Sequence, residues 1–378
     1  MPTYLDCNAT TPIEPRVRDV VWRHITDEFG NAGSRTHEYG ARAKRAVENA
    51  RRQVAGLVAA QPDEVTFTSG ATEANNLAIL GLAGFGKSSG RRHVITTAVE
   101  HKAVLEPCAQ LASQGFDVSV LPVTRGGWLR PEVLQEALRP ETVLVSVMHV
   151  NNETGVIQPL ADLVAVLDEH DCFFHVDAAQ GFGKDLAALR SQRIDMISAS
   201  GHKLYAPKGI GALVARRRGF NKPPLQPLMF GGGQERGLRP GTLPVALVAG
   251  FGEACDLASR EAERWRATWE ALRDEIKRCL APLGAEFLGD QDRCLPNTLS
   301  VRVPGVDSEA AMLALKDVAA VSNGSACTSS SYSPSHVLVA MGLGEHEIQG
   351  ALRLSWCHLT EKPDLSAAAE RLGSLLAR

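Results

Sequence analysis

Short apolar runs that alternate with longer helical patterns constrain this chain more than any single motif. "DEVTFTSG", "RHVITTAVE", "FDVSVLPV", "TVLVSVMHV", "CFFHVDAAQ", "IDMISASGH" and "GIGALVARR" read as strands. "TVLVSVMHV" is rich in β-branched residues, the composition of a strand buried on both faces. "ATEANNLAILGLAGF", "HKAVLEPCAQLASQG", "RPEVLQEALRP" and "LADLVAVLDEHD" read as the intervening helices. This order predicts an α/β fold, with a mostly parallel sheet between helices. Ligands of such sheets collect beyond the carboxyl ends of the strands. Polar residues just after the runs are therefore the first candidates for chemistry.

Further on, "PVALVAGFGEACDLASREAERWRATWEALRDEIKRCL" predicts a long connecting helix. Strands "NTLSVRVP" and "LRLSW" and a final helix "KPDLSAAAERLGSLLA" follow in a second, smaller unit. The 378 residues, 44% of them hydrophobic, suffice for a large core and two domains. A net charge of -3 provides no global basic field for nucleic acid or membrane. Arg216, Arg217 and Arg218 leave a local basic patch open. The start, "MPTYLDCNATTP", lacks a signal-peptide pattern, and the apolar runs stop short of membrane length, so a cytoplasmic location is expected. The eight cysteines form no CxxC pair, which argues against a metal or cluster site within the chain. Most are expected to be buried thiols.

Asp177 ends the run "FFHVDAAQ". It is either a cap or a carboxylate facing a cationic ring nitrogen or a metal, and Gln180 can donate to the same ligand. Lys203, in "SGHKLYAPKG", lies just past a later strand. It is a solvated lysine or, in a pocket, a nucleophilic amine. Together the Asp and the Lys make pyridoxal phosphate plausible, because that cofactor needs a Schiff-base lysine and an acidic partner for its ring nitrogen. Gly70, Ala71 and Thr72 at a strand-to-helix turn can cradle a phosphate, with Ser200 and His202 completing the cradle. His101 is a cap or a ring-stacking, proton-moving group. Asn152 can touch the ring's phenolic oxygen or the substrate. Arg353 is a structural ion-pair partner or a carboxylate clamp. Cys327 sits in the small polar stretch "SNGSACTSSSYSPSHVL" and is either a loop cysteine packed under the surface or a mobile nucleophilic thiol, with Ser333 and Pro334 reading as the cap and first turn of a helix.

These stretches, with "YLDCNATTP", "FGNAGSRTH", "AVEHKAV", "MHVNNETGVIQP" and "GGGQERGLRPGT", resemble the cysteine desulfurases of the aminotransferase class V family nearly end to end. The resemblance implies the pyridoxal-phosphate-dependent transferase fold of type I. Its large domain (15–256) would hold a mostly parallel seven-stranded sheet, and its smaller α+β domain (1–14 and 257–378) the cysteine loop. It implies a pyridoxal 5'-phosphate enzyme that converts L-cysteine to L-alanine and leaves a persulfide on Cys327. Lys203 would bind the cofactor, His101 would stack on its ring, Asp177 would pair with its nitrogen and Gln180 would meet its phenolic oxygen. Ala71, Thr72, Ser200 and His202 would hold phosphate, with Thr242 arriving from the second subunit of a homodimer. Asn152 and Arg353 would hold the substrate carboxylate, and His101 can also move protons to Cys327. Cys7 stands where the family often has an aromatic or polar residue, near the site entrance, as a candidate second thiol.

In general appearance the chain is most similar to the desulfurases of bacterial DNA phosphorothioation systems. A sulfur-accepting protein partner follows from that reading, and direct nucleic-acid or membrane binding does not. Iron–sulfur cluster assembly and tRNA thiolation are the alternatives. A selenocysteine lyase, a transaminase and a non-catalytic partner protein fit the cysteine stretch or the filled site positions less well.

Overall fold

In the computed structural model the structure describes residues 1–323 and 334–376. Cys327 and Ser333 lie outside the described residues. Among the described residues the strands are, in chain order, β1 (Thr3–Tyr4), β2 (Val65–Thr68), β3 (His93–Thr97), β4 (Asp117–Leu121), β5 (Thr142–Met148), β6 (Phe173–Asp177), β7 (Met196–Ser200), β8 (Gly211–Ala215), β9 (Glu286–Leu288), β10 (Thr298–Arg302), β11 (Ala319–Ala320) and β12 (Leu352–Ser355). Seven of them form one sheet in the order β2-β8-β7-β6-β5-β3-β4. Its pairs are parallel except at β8, which runs antiparallel to both of its neighbours.

Every residue of β5 is buried, as a strand covered on both faces requires. The covering helices are α1 (Pro15–Thr26), α2 (Glu38–Leu57), α3 (Ala71–Leu80), α4 (Ala83–Ser89), α5 (Lys102–Ser113), α6 (Pro131–Ala137) and α7 (Leu160–Leu167), together with the first half of α8 (Val245–Leu280). The sequence predicts one helix across α3 and α4. The chain instead breaks at Gly81, whose carbonyl accepts the Gln226 N–H at 2.9 Å. Helices α2 and α8 pack closely because Gly252 has no side chain: a Cβ there would lie 2.6 Å from the Ala50 Cα.

The second half of α8 buries Trp265 and Trp269 and leads to a three-stranded antiparallel sheet, β12-β10-β9. Helices α9 (Ser308–Leu315), α10 (His336–Ala340), α11 (Glu345–Gln349) and α12 (Leu365–Leu376) complete this region. Helix α10 starts later than its sequence predicts. Pro334 is outside it, and Ser335 is the N-cap, its hydroxyl accepting the Leu338 N–H at 3.2 Å. The hydroxyl also donates to the buried Glu153 carboxylate, which ties the cap to the large sheet's loops. The N-terminal segment joins both regions. It pairs β1 with β11 in parallel and bridges Asp6 to Ser355 of β12.

No basic patch forms around Arg216. Its guanidinium is buried and donates to the carbonyls of Ser191, Ile194, Val58 and Leu189. Arg217 pairs with Asp63, and Arg218 with Asp171 and Asp195. Among the described residues no helix is long and apolar enough to cross a membrane, and no cluster of ligands suits a metal ion.

Candidate active site

Neighbouring parallel strands end side by side, and their following residues meet in one cavity of about 490 Å³. From β7 come Ser200, His202 and Lys203, from β6 Asp177 and Gln180, from β5 Asn152, and from β3 His101. The turn after β2 adds Gly70, Ala71 and Thr72, and Arg353 enters from β12. That turn can approach β8 only because Gly211 lacks a side chain: its Cβ would lie 2.6 Å from the Gly70 Cα.

Asp177 is buried at the cavity floor. Its carboxylate accepts the Asn75 side-chain amide at 2.8 Å and the Ala179 N–H at 2.9 Å. Burial pushes this carboxyl above its usual range, and the two donors partly offset that. His101 serves as the N-cap of α5, its Nδ1 accepting the Ala103 N–H at 3.1 Å. Burial lowers its pKa, so the ring is held neutral, with its proton on Nε2. The capping role and a role toward a ligand are therefore compatible, since they use different ring nitrogens. Burial and the nearby Lys203 charge bring His202 down to about 4, and its Nδ1 meets the Thr10 hydroxyl at 3.2 Å.

Lys203 sits on a single tight turn, Gly201–Lys203, pinned by the N-terminal segment. The Thr11 N–H donates to the His202 carbonyl at 3.0 Å, and the Tyr205 N–H donates to the Thr11 hydroxyl at 3.0 Å. The lysine's Nζ donates to the carbonyl oxygens of Asn8 and Ala9, the latter at 2.8 Å. Gln180 donates to the same Asn8 carbonyl at 3.0 Å. Arg353 donates to Asp6 at 2.6 Å and to the Asn152 carbonyl at 3.2 Å.

Asn8, Asp6 and Asn75 were not singled out from the sequence. No local pattern marks them, because their partners lie 195, 347 and 102 residues away. Glu100, beside His101, was also missed. It is fully buried, pushed up to about 8 by burial, and it accepts the Met148 N–H at 2.8 Å across β5. Thr242 lies outside the cavity. It lines a separate surface groove with Asn31, Gly33 and Gln234. Cys7 does not line an entrance: it is buried behind Asn8. The other described cysteines are buried too, except for the half-buried Cys279.

The cavity's donor set fits pyridoxal phosphate. The first-turn N–H groups of α3 have no intrahelical acceptors, and with the Thr72 and Ser200 hydroxyls they suit a phosphate. A buried carboxylate suits a protonated ring nitrogen. Gln180 Oε1 and Asn75 Oδ1 are buried without hydrogen-bond partners among the described residues, polar atoms that call for a bound polar molecule.

A model of the aminotransferase class-V family matches residues 3–367. The chain belongs to that family. Within the family it groups with the cysteine desulfurases. It is 46% identical over 366 residues to the mitochondrial cysteine desulfurase of Arthroderma benhamiae, covering 96% of this chain and 72% of that one. It is 42% identical over 381 residues to the cysteine desulfurase IscS of Salmonella schwarzengrund, covering 100% and 93%. The crystal structure of DndA from Streptomyces lividans matches with a TM-score of 0.82 at 52% identity, over 94% of this chain and 99% of that chain. The seven-stranded, mostly parallel sheet is the fold that the family resemblance implies.

Proposed function

We propose that this cysteine desulfurase takes sulfur from L-cysteine as a persulfide on Cys327 and passes it to a partner protein, with DNA phosphorothioation as the destination. The observation that carries the desulfurase assignment is the convergence of Lys203, Asp177, His101, the α3 N-terminus and Arg353 on one cavity. Lys203 would hold the cofactor covalently. Asp177 would hold its ring nitrogen, and Gln180 would meet its phenolic oxygen. Ala71, Thr72, Ser200 and His202 would hold its phosphate. Pyridoxal phosphate, when bound, withdraws electrons from the substrate's α-carbon.

The chain's own groups do the rest. Arg353 and Asn152 orient the substrate carboxylate, and Arg353 shares its guanidinium with Asp6 to do so. Lys203 takes the α-proton. The Cys327 thiolate attacks the substrate's sulfur, the new S–S bond forms as the C–S bond breaks, and protonation at carbon leaves L-alanine. His101, neutral with a donor Nε2–H, would move protons between substrate and thiol. Thr242, on a surface away from its own cavity, would serve the site of a second subunit in a homodimer. Residues 15–256 would form the cofactor-binding domain, with 1–14 and 257–378 forming the smaller one.

The 52% identity with DndA supports the phosphorothioation destination, and a cytoplasmic location accompanies it. Full-length similarity to IscS supports a second destination, iron–sulfur cluster assembly or tRNA thiolation. The decisive assay measures alanine and sulfide from L-cysteine and reductant in wild type, Cys327→Ser and Lys203→Ala. Equimolar products lost in both variants support the persulfide route. Undiminished products in Cys327→Ser overturn it. Transfer of radiolabelled sulfur to candidate DNA-modification proteins or to an iron–sulfur scaffold then separates the two destinations.

A further inference from the structure

Behind the cavity wall the structure holds a cluster that the desulfurase reaction leaves unused. Cys7 and Cys357 are each 1% exposed, and their side chains interact electrostatically. The backbone fixes their placement. The Cys7 N–H donates to the Ser355 carbonyl at 3.0 Å, and the Ser355 N–H to the Leu5 carbonyl at 2.8 Å. The Cys357 N–H donates to the Thr360 hydroxyl oxygen at 2.9 Å, and that hydroxyl lies 3.6 Å from the Cys357 sulfur.

Within electrostatic range of the pair is Lys184, 4% exposed, whose Nζ has no hydrogen-bond partner among the described residues. The groups that favour its charge are Cys7 and Cys357. Burial lowers this lysine to about 8. The interaction with Cys7 and, to a lesser extent, the Thr360 hydroxyl bring Cys357 down to about 7, against the opposing effect of burial, and the Lys184 charge adds to them. The buried Tyr205 also faces the two thiols, and burial pushes its hydroxyl pKa up, so it adds no charge at neutral pH. Cysteines that serve only as small apolar residues do not account for an ammonium buried among them. A buried ammonium needs a counter-anion, and a Cys357 thiolate is the one this cluster offers.

We propose that Cys7 and Cys357 are a redox-active dithiol that closes to a disulfide under hydroperoxide oxidants, with Lys184 holding Cys357 as the attacking thiolate. The Cys357 thiolate attacks one peroxide oxygen and the O–O bond breaks. The departing hydroxide takes a proton from the Lys184 ammonium and leaves as water. Cys357 is then a sulfenic acid. Cys7 attacks that sulfur, the S–S bond forms, the S–O bond breaks, and the Cys7 proton leaves with the oxygen as a second water. The two sulfurs lose two electrons and one peroxide becomes two waters. The cluster passes from an ion pair to a neutral amine beside a disulfide, a state without buried charge.

The cluster adjoins the cavity, because Cys7 precedes Asn8. The Asn8 carbonyl accepts from both Lys203 and Gln180, and its side-chain amide donates to the Asn152 carbonyl at 3.1 Å. A covalent bond at Cys7 therefore acts on the cavity floor. The proposal does not rest on the desulfurase reaction, and thiol chemistry rather than turnover reads it out.

The test treats the full-length holoenzyme with hydrogen peroxide, blocks remaining thiols in denaturant and maps peptides by mass spectrometry. A reducible Cys7–Cys357 peptide pair that forms before Cys108, Cys172 or Cys255 is oxidised supports the proposal. Lys184→Met is expected to slow its formation at least about tenfold at neutral pH, since the thiolate fraction falls when the neighbouring cation is removed. If that variant does not fold, the wild-type pH profile decides. A rate half-maximal near about pH 7 is the expected result. Absence of the cross-link, an unchanged rate in folded Lys184→Met, or a rate that climbs only above the ordinary thiol range overturns the proposal.

Discussion

Asn75→Ala removes one hydrogen bond and leaves the rest of the cavity's polar groups in place. The Asn75 amide donates to Asp177 at 2.8 Å, and both residues are buried. A hydrogen bond to a charged group is worth about 1.5–3 kcal/mol, so its loss shifts the balance between carboxylate and carboxylic acid about 10- to 150-fold toward the acid. Burial already pushes Asp177 in that direction, and the Ala179 N–H remains as the opposing hydrogen-bond donor, aided by the nearby His101 and Lys203. The ionised form is the one that pairs with a protonated ring nitrogen. Affinity for pyridoxal phosphate should therefore fall in the variant, most at low pH, and recover as pH rises through the new titration. The sign for folding is opposite. A carboxyl raised by burial costs stability as pH rises from its unfolded-state pKa through its folded-state pKa, and the variant extends that loss to higher pH. Equilibrium dialysis of pyridoxal phosphate against apoprotein at about pH 6 and about pH 8 reads the effect, with wild type as reference for the cofactor's own titration. Equal affinity losses at both pH values, or none at either, would refute the idea that Asn75 acts through the charge on Asp177.

Three further perturbations follow from the geometry. Arg353→Lys keeps a charge but loses the planar fork, and is expected to lower kcat/KM for L-cysteine about 100-fold, mainly through KM, as steady-state kinetics would show. Glu235→Gln leaves the buried Arg51 without its two-point partner, joined at 2.6 and 2.9 Å, and is expected to cost about 3–5 kcal/mol in urea unfolding, most of it recovered when Arg51→Met is added. Gly211→Ala places a methyl against the Gly70 turn, and is expected to weaken cofactor retention on gel filtration while leaving the far-ultraviolet circular dichroism unchanged.

The seven-strand sheet was legible because its strands are β-branched and end in polar residues, the pattern that marks Asp177 and Ser200. Helices α1 and α2 were not. Their buried faces are built from Val17 and from Ala43, Val47, Ala50 and Val54 amid many charges, a muted contrast. Arg216 shows the limit from the other side. Three consecutive arginines read as a surface patch, yet the first is consumed by four backbone carbonyls that no sequence pattern announces. Site positions at strand ends could be singled out one by one. Asn75, Asn8 and Asp6 could not, because each acts by completing a group far away in the chain.

The N-terminal segment has a consequence for how the protein is made. Asp6 meets Arg353 across 347 residues, and the Asn8 N–H donates to the Ser355 hydroxyl at 2.8 Å. Residues 6–8 therefore complete the floor under Lys203 only once residues 353–355 have folded against them. A growing chain can form much of the large sheet without a finished pocket, so a cofactor held at Lys203 would wait for these two distant segments to meet.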